Sequence, residues 1–460
     1  MPATLLATAA PTFNPANSQS CKTLTQNLLM RARSAHKGTD EKANEGMLIR
    51  VTPAATGKEP ARITANGKHT TLRQTLLSAP PGSTVLLGKG TYELPASQQA
   101  GGYTGLVIKH NHIALIGDTD NPADVVIDTG YQNLGKTAGA LSISGSDVSI
   151  ANITLKRSIF HLIHLWKGAD RTLVHNVHLI DGGQQFIKSS PGQGENNGST
   201  VRCSQFLMTD SGRDNVWGYG EPTGWTTCYT GGIDTHNSYN WTISSNRFEG
   251  IYCDQTGIPR PAHGRKAALR NNQTYQGGLS EHAVHMWHSK KQSEHTITNN
   301  QIINCARGIG IGLKAPVYGG LIANNMIVSH FAGSREHDVG IALYHASDAK
   351  IIHNSLFFSH AGAYPNGIEI IHSSDKSNLV MNNLTNKMIR VRDGGRAKIT
   401  ANTYTAVLEW FADSAQGDLH VRSCARPPIP ITSGEKHPAV PVDIDGEPRE
   451  DIITIGADQC

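Results

Sequence analysis

Five stretches decide how this chain folds: TISSNRF (242–248), TITNNQI (296–302), LIANNMI (321–327), KIIHNSL (350–356) and LVMNNL (379–384). Each reads as a short strand of alternating apolar residues, then an asparagine, then the start of a second strand. Asparagine tolerates the left-handed bend such a junction needs, and amides stacked at equivalent positions can hydrogen-bond along an axis. The column runs Asn152, Asn176, Asn246, Asn300, Asn325, Asn354, Asn383 and Asn402, with Ser204 of VRCSQF in the equivalent place. One asparagine per turn of a repeating three-strand unit predicts a solenoid.

The strands elsewhere in each repeat align as well. Ile163, Ile187, Ile233, Val284, Ile309, Ile341, Ile368 and Ile389 share one inward column. Two residues on, as pleating requires, lie Leu165, Ser189, Thr235, Met286, Ile311, Leu343, Ile370 and Val391. The steps from Ile187 to Ile233 and on to Val284 are about twice the usual turn, because insertions near Gly192 to Asn197, Gly212 to Thr230 and Cys253 to Arg265 lengthen them. Insertions on consecutive repeats are expected to wall a functional groove.

Before the repeats, Thr71 precedes Leu72, Leu76 and Leu77 at helical spacing, and Pro80 and Pro81 stop the helix. A helix there covers the open end of the solenoid. Residues 1–64 read as an irregular leader, 65–405 as the repeat domain, and 406–460 as a segment that packs back on the C-terminal end. The start, MPATLLATAAPTF, resembles the end of a signal peptide without its basic region.

Composition narrows the function classes. With 38% hydrophobic and 17% charged residues, 47 glycines and 22 histidines, the chain suits many short strands and tight turns. No apolar run approaches the roughly 20 residues a bilayer span needs. The net charge of +4 favours an anionic partner. Lys and Arg form no arm and the aromatics no stacking array, so nucleic acid is not the expected partner, and a monomer is the expected state. The seven cysteines show no CxxC. Cys228 and Cys253 sit in loops and could pair in an oxidising compartment, whereas Cys203 and Cys305 follow strands and read as buried thiols.

These features, with the opening APPGSTVLLGKGTYEL (79–94) and the ending DIDGEPRE (443–450) through IGAD (455–458), resemble the pectate-lyase-like superfamily over about residues 65–458. The resemblance implies an all-β, right-handed parallel β-helix with an N-terminal capping helix. Lyases, hydrolases and C5-epimerases acting on polysaccharides dominate that superfamily, so it also implies a carbohydrate-active protein, for which the cysteine usage favours a secreted or periplasmic home.

The position between the two inward columns faces outward and reads His164, Lys188, Asp234, His285, Gly310, Ala342, Glu369 and Arg390. Adjacent turns lie about 4.8 Å apart, so a cation, a carboxylate and an imidazole meet on one face. The next outward column adds Trp166, His236, Trp287, Tyr344 and Arg392. Proton abstraction beside a uronate carboxylate needs a cation to neutralise the carboxylate, a base and an acid. Lys188 or Arg307 could supply the first, and His285, His236 or Tyr344 the others. Lys188, Asp234, His236 and His285 are therefore the candidate catalytic residues. His164, Trp166, Lys167, Trp287, His288, Arg307, Lys314, Tyr344, His345, Glu369 and His372 are the candidate sugar contacts. The Lys188 stem is expected to be solvated, and turnover to rise through the titration of His285.

GGIDTHNS (231–238) is similar to the alginate C5-epimerase signature: Asp234 and His236 match its Asp and His, and Lys188 its lysine one turn earlier. Thr235 replaces the proline, and His285, with Glu281 nearby, replaces an acidic residue on the next turn. The leading expectation is β-elimination on an acidic polysaccharide. C5-epimerisation, glycoside hydrolysis and a non-catalytic adhesive β-helix are the alternatives. No metal set or cofactor is predicted; Glu281-His282 with Glu249 and Asp254 offers at most a Ca²⁺ site without ligand spacing to support it, and the His-rich rows, which could bind a transition metal, lack a fixed motif and read as a solvated face.

Overall fold

Period-2 alternation with every second residue apolar forces each short strand to bury one face, and three such strands per turn close around a shared core. In the computed structural model, which describes residues 13–34, 47–53, 62–65, 68–94, 105–132, 139–216, 228–253, 280–288, 293–313, 315–332, 337–360, 366–373, 377–449 and 451–460, each turn gives one strand to each of three sheets. The sheets hold 14, 10 and 10 strands. Pairing along them is parallel, apart from an antiparallel extension at the start of the first sheet (Leu48–Thr52, Arg62–Ala65, Lys68–Thr71). The result is a right-handed parallel β-helix, as expected, with one long core running from Ile49 to Val380.

The sheet that carries the candidate site runs from Leu106–Ile108 to Met388–Arg392. Its register reproduces both inward columns: Ile163 pairs with Ile187, Ile187 with Ile233, Ile233 with Val284, and so on to Ile389. The outward column from His164 to Arg390 is aligned by the same pairings.

The asparagine ladder is continuous from Asn246 to Asn402. Each side-chain amide donates to the next Oδ1: Asn246 to Asn300 at 3.0 Å, then Asn325, Asn354, Asn383 and Asn402 at 2.9 Å per step. Ser204 extends it, its backbone N–H donating to Asn246 Oδ1 at 3.0 Å. Asn152 and Asn176 do not belong to it. They lie one residue earlier, in the left-handed bend column that continues through Cys203, Ser245, Asn299, Asn324, His353 and Asn382 at φ between 51° and 58°. Two columns one residue apart both favour asparagine, one for its hydrogen bonds and one for its tolerance of positive φ.

Helix α2 (Leu72–Ser78) is the predicted cap. Thr71 and Gln74 form a reciprocal capping box at its start, and Leu72 and Leu76 enter the core beside Leu106. Within the leader, the described residues include a helix. Helix α1 (Gln19–Ser34) lies along the flank of the first sheet, with Leu29 and Ala32 packed on Leu86, Ile116 and Ala151. Thr25 Oγ1 meets His175 Nε2 at 2.8 Å, and Cys21 is disulfide-bonded to Cys203. Cys203 is thus not a thiol, because its place in the bend column points it outward at the helix. Cys305 is the buried free thiol expected, and Cys228–Cys253 pair as expected.

The C-terminal segment also lies on a flank rather than over the end. Phe411, Leu419, Ile431, Ile444 and Ile455 pack on Ile303, Met326, Val328 and Phe357 of the second sheet. Bend-column amides hold it: Asn299 donates to Ile444 O at 3.3 Å, Asn324 to Val442 O at 2.9 Å and Asn382 to Glu435 O at 2.7 Å. Cys424–Cys460 closes it. The last turn is accordingly open, and Met388, Val391 and Ile399 are exposed because no further turn covers them.

Candidate active site

The strands Gln185–Ser189, Gly231–His236 and His282–His288 are consecutive in the site sheet, which sets Lys188, Asp234 and His285 side by side. Lys188 Nζ donates to Asp234 Oδ2 at 2.8 Å and to His236 Nε2 at 3.0 Å. Tyr229, held beside the Cys228–Cys253 disulfide, hydrogen-bonds the same ammonium. His236 Nε2 lies 3.6 Å from Asp234 Oδ1.

This face is not the solvated one anticipated. Lys188 is only 4% exposed, Asp234 6% and His285 2%. The lysine is therefore a buried cation held by its carboxylate partner, and burial, which opposes its charge, is outweighed by Asp234, so its pKa is raised. Burial likewise works against the Asp234 carboxylate, but Lys188 beside it holds the pKa down to about 2. Burial, reinforced by Lys188, pushes His236 down to about 3, so its imidazole is neutral at physiological pH, with Nε2 a lone-pair acceptor and the proton on Nδ1. Burial pushes the Tyr229 phenol up, keeping it protonated.

Aromatic rings border the pair. His164 stacks on half-buried Trp166 at 3.8 Å between centroids, and His236 lies 4.0 Å from Trp287 and 5.6 Å from His288. A bulge between Thr235 and His236 shifts the register, so His288 rather than Trp287 stands opposite His236. Burial, with His161 and Lys188 nearby, pushes His164 down to about 2. Lys167 is exposed at the rim.

His285 is not placed as the solvated base expected. Its Nε2 is 2.9 Å from the Gly312 carbonyl, an acceptor only, so Nε2 carries the proton and donates. Its Nδ1 is buried and has no hydrogen-bond partner among the described residues.

Other candidates lie apart. Arg307 is committed to Asp338 at 2.7 Å and to Ser280 O at 3.3 Å. Glu369 accepts from Asn366 and from Arg392, and Gly310 and Ala342 separate it from His285 in the column. Tyr344 is half-buried 6.1 Å from His282, its phenol pushed up to about 12 by burial. His345 and His372 stack on each other at 5.0 Å beyond the strands. Lys314 falls outside the described residues, as do 217–227 of the second insertion and 254–265 of the third. The first insertion is described, and its Asn196–Asn197 pairs with Ser238–Tyr239 beyond the site strands.

Sequence reasoning missed Tyr229 and His161, and weighed His282 only beside Glu281 in a Ca²⁺ set. Tyr229 carried a usable signal, since it adjoins a cysteine expected to pair. Strict alternation turns His282 inward, whereas its ring lies on the outer face against Gly310, where a Cβ would come within 2.7 Å of Nε2.

Residues 226–408 match a family model described as NosD, periplasmic copper-binding protein. No curated protein sequence matches the chain. Similar solved structures include the pectate lyase Pel9A (11% identity, 90% of this chain and 96% of that one, TM-score 0.45). A polygalacturonase from Erwinia carotovora ssp. carotovora is similar at 12% identity, covering 80% and 98%, with a TM-score of 0.39. The Streptococcus pneumoniae surface adhesin PfbA is similar at 15%, covering 73% and 86%, at 0.37. These three differ in function, and no residue's role is taken from them.

Proposed function

We propose that this protein is an enzyme acting on an acidic, uronate-containing polysaccharide, removing the proton beside the uronate carboxylate. The observation that carries the reading is one buried ammonium, Lys188, hydrogen-bonded at once to a carboxylate, a neutral imidazole and a phenol on the outer face of the solenoid. A uronate carboxylate arriving at Lys188 competes for the hydrogen bond that His236 Nε2 accepts. The freed Nε2 lone pair takes the C5 proton, while Lys188 offsets the charge that grows on the carboxylate. Tyr229 gives its proton to the departing O4, the C4–O4 bond breaks and a C4–C5 double bond forms. Return of a proton to the opposite face of C5, with O4 retained, makes the same site an epimerase. Asp234 positions Lys188 and keeps it charged. Trp166 and Trp287, half-buried at the rim, offer flat surfaces for neighbouring sugars.

Hydrolysis is disfavoured, since it calls for two carboxyl groups about 5 to 10 Å apart across the bond, and Asp234 has Lys188 and His236 as its neighbours instead. The three disulfides suit an oxidising compartment and support a secreted or periplasmic location. No helix among the described residues is long and apolar enough to cross a membrane. The matched family's description names copper. Among the described residues of 226–408, the groups able to meet such an ion are Glu281, His282 and His285.

The test is a screen of uronate polymers for new ultraviolet absorbance from the double bond, in parallel with deuterium uptake at C5. Binding of such a polymer with neither signal would favour the adhesive alternative.

A further inference from the structure

One turn beyond Asp234, the start of the strand His282–His288 gathers three groups the uronate chemistry does not use. One ligand atom each from Glu281, His282 and His285 lie within 4.8 Å of one another. His282 is 3% and His285 2% exposed. Both ring nitrogens of His282 and Nδ1 of His285 lack a hydrogen-bond partner among the described residues. Buried polar atoms are nearly always satisfied, and two neighbouring imidazoles presenting bare nitrogens to one point need a shared partner.

His285 is already set as a ligand would be. Its Nε2–H donates to the Gly312 carbonyl, which fixes the ring and leaves the buried Nδ1 lone pair without a partner among the described residues. A backbone carbonyl on the far nitrogen is the usual support for a metal-bound histidine. The absence of a side chain at Gly310 gives the His282 ring its room. Burial, then the nearby His285 and Arg307, keep His282 neutral, the state a metal requires.

We propose that Glu281, His282 and His285 form a binding site for one divalent first-row transition-metal ion, with two imidazoles and one carboxylate as ligands. Imidazole with carboxylate suits Zn²⁺ and Cu²⁺ in preference to Ca²⁺, which takes oxygen ligands. Three protein ligands leave a coordination position open. The site stands independently of the uronate reading.

Two other clusters of similar composition do not compete. Cys424 and Cys460 are joined as a disulfide. His420 uses both ring nitrogens, Nδ1 towards Asp418 at 2.6 Å and Nε2 towards Asp445 at 2.8 Å, which makes it a charged partner of two carboxylates.

The test uses the full chain, stripped with chelator and titrated separately with Zn²⁺ and Cu²⁺ by calorimetry, with metal content checked after desalting. One equivalent of at least one ion should bind. Glu281→Gln and His282→Ala should each weaken binding by about 100-fold or abolish it, with unchanged circular dichroism. His420→Ala should leave it unaltered. Bound Cu²⁺ should show nitrogen hyperfine coupling from two imidazoles in its electron paramagnetic resonance spectrum. Failure of the wild type to bind either ion stoichiometrically overturns the proposal. So does binding that survives both substitutions or is lost in His420→Ala. Glu281 is only half-buried, so the Gln variant keeps the test decisive if His282→Ala misfolds.

Discussion

His236 is the residue on which turnover should depend most directly. It is the most exposed member of the Lys188–Asp234–His236 cluster, with 28% of its side chain accessible, so replacing it removes a base without opening the core. His236→Ala should slow turnover by about 10² to 10⁴-fold while polymer affinity, read by calorimetry, stays within a few-fold of wild type. Tyr229→Phe should slow elimination while leaving C5 exchange in place, since it removes only the proton for O4. Because burial and Lys188 hold the His236 pKa at about 3, no histidine limb from this residue is expected between pH 5 and 8. Lys188→Ala is a poor functional probe. It leaves the Asp234 carboxylate buried and unpaired, at a cost of roughly 3 to 5 kcal/mol in urea unfolding, and Lys188→Met with Asp234→Leu should recover most of that stability.

At the scale of the strand and its neighbours, much was legible in the sequence. Alternation and the Asn-x columns place Ile163 through Ile389, and with them the outward row from His164 to Arg390, because a one-residue slip would turn every apolar side chain to the surface. Three features escaped that logic. The bulge after Thr235 exchanges Trp287 for His288 opposite His236, and nothing in the alternation marks it. Tyr229, which joins the buried cluster on the outer face, lies in an insertion that carries no period. The two flanking straps, α1 and the C-terminal segment, are held by the disulfide Cys21–Cys203 and by bend-column amides, contacts with no local pattern. The ladder itself should be costly to break: Asn325→Ala removes a donor to Asn354 and the acceptor for both Asn300 donors, and should destabilise by about 1 to 3 kcal/mol. Cys21→Ser should lower thermal stability by a further comparable amount, by about 2 to 5 kcal/mol, as it opens a closure spanning 182 residues.

The whole molecule carries an unusual load of buried neutral histidine. Burial pushes His161, His236, His295 and His353 to about 3, His175 and His337 to about 4, and His164 to about 2. Each is depressed below its unfolded value of 6.5, so the stability it contributes is present above pH 6.5 and is lost as pH falls towards the folded pKa. Each adds up to about 1.4 kcal/mol per pH unit to the slope in that window. Thermal melts followed by circular dichroism should therefore show a steep decline from about pH 6.5 towards 4; a melting temperature flat across that range would mean these rings are solvated. The same solenoid holds a row of outward groups in register across successive turns, and the proposal of a polymer substrate rests on that row. The central claim is best tested by incubating uronate polymers with the wild-type chain and with His236→Ala in deuterated water, then analysing the sugar by mass spectrometry. The wild type should place deuterium at C5 or release unsaturated ends on one polymer, and the variant should do neither at a comparable rate. A wild type that binds a uronate polymer yet leaves it unexchanged and uncleaved, or a His236→Ala variant as active as the wild type, would contradict the account.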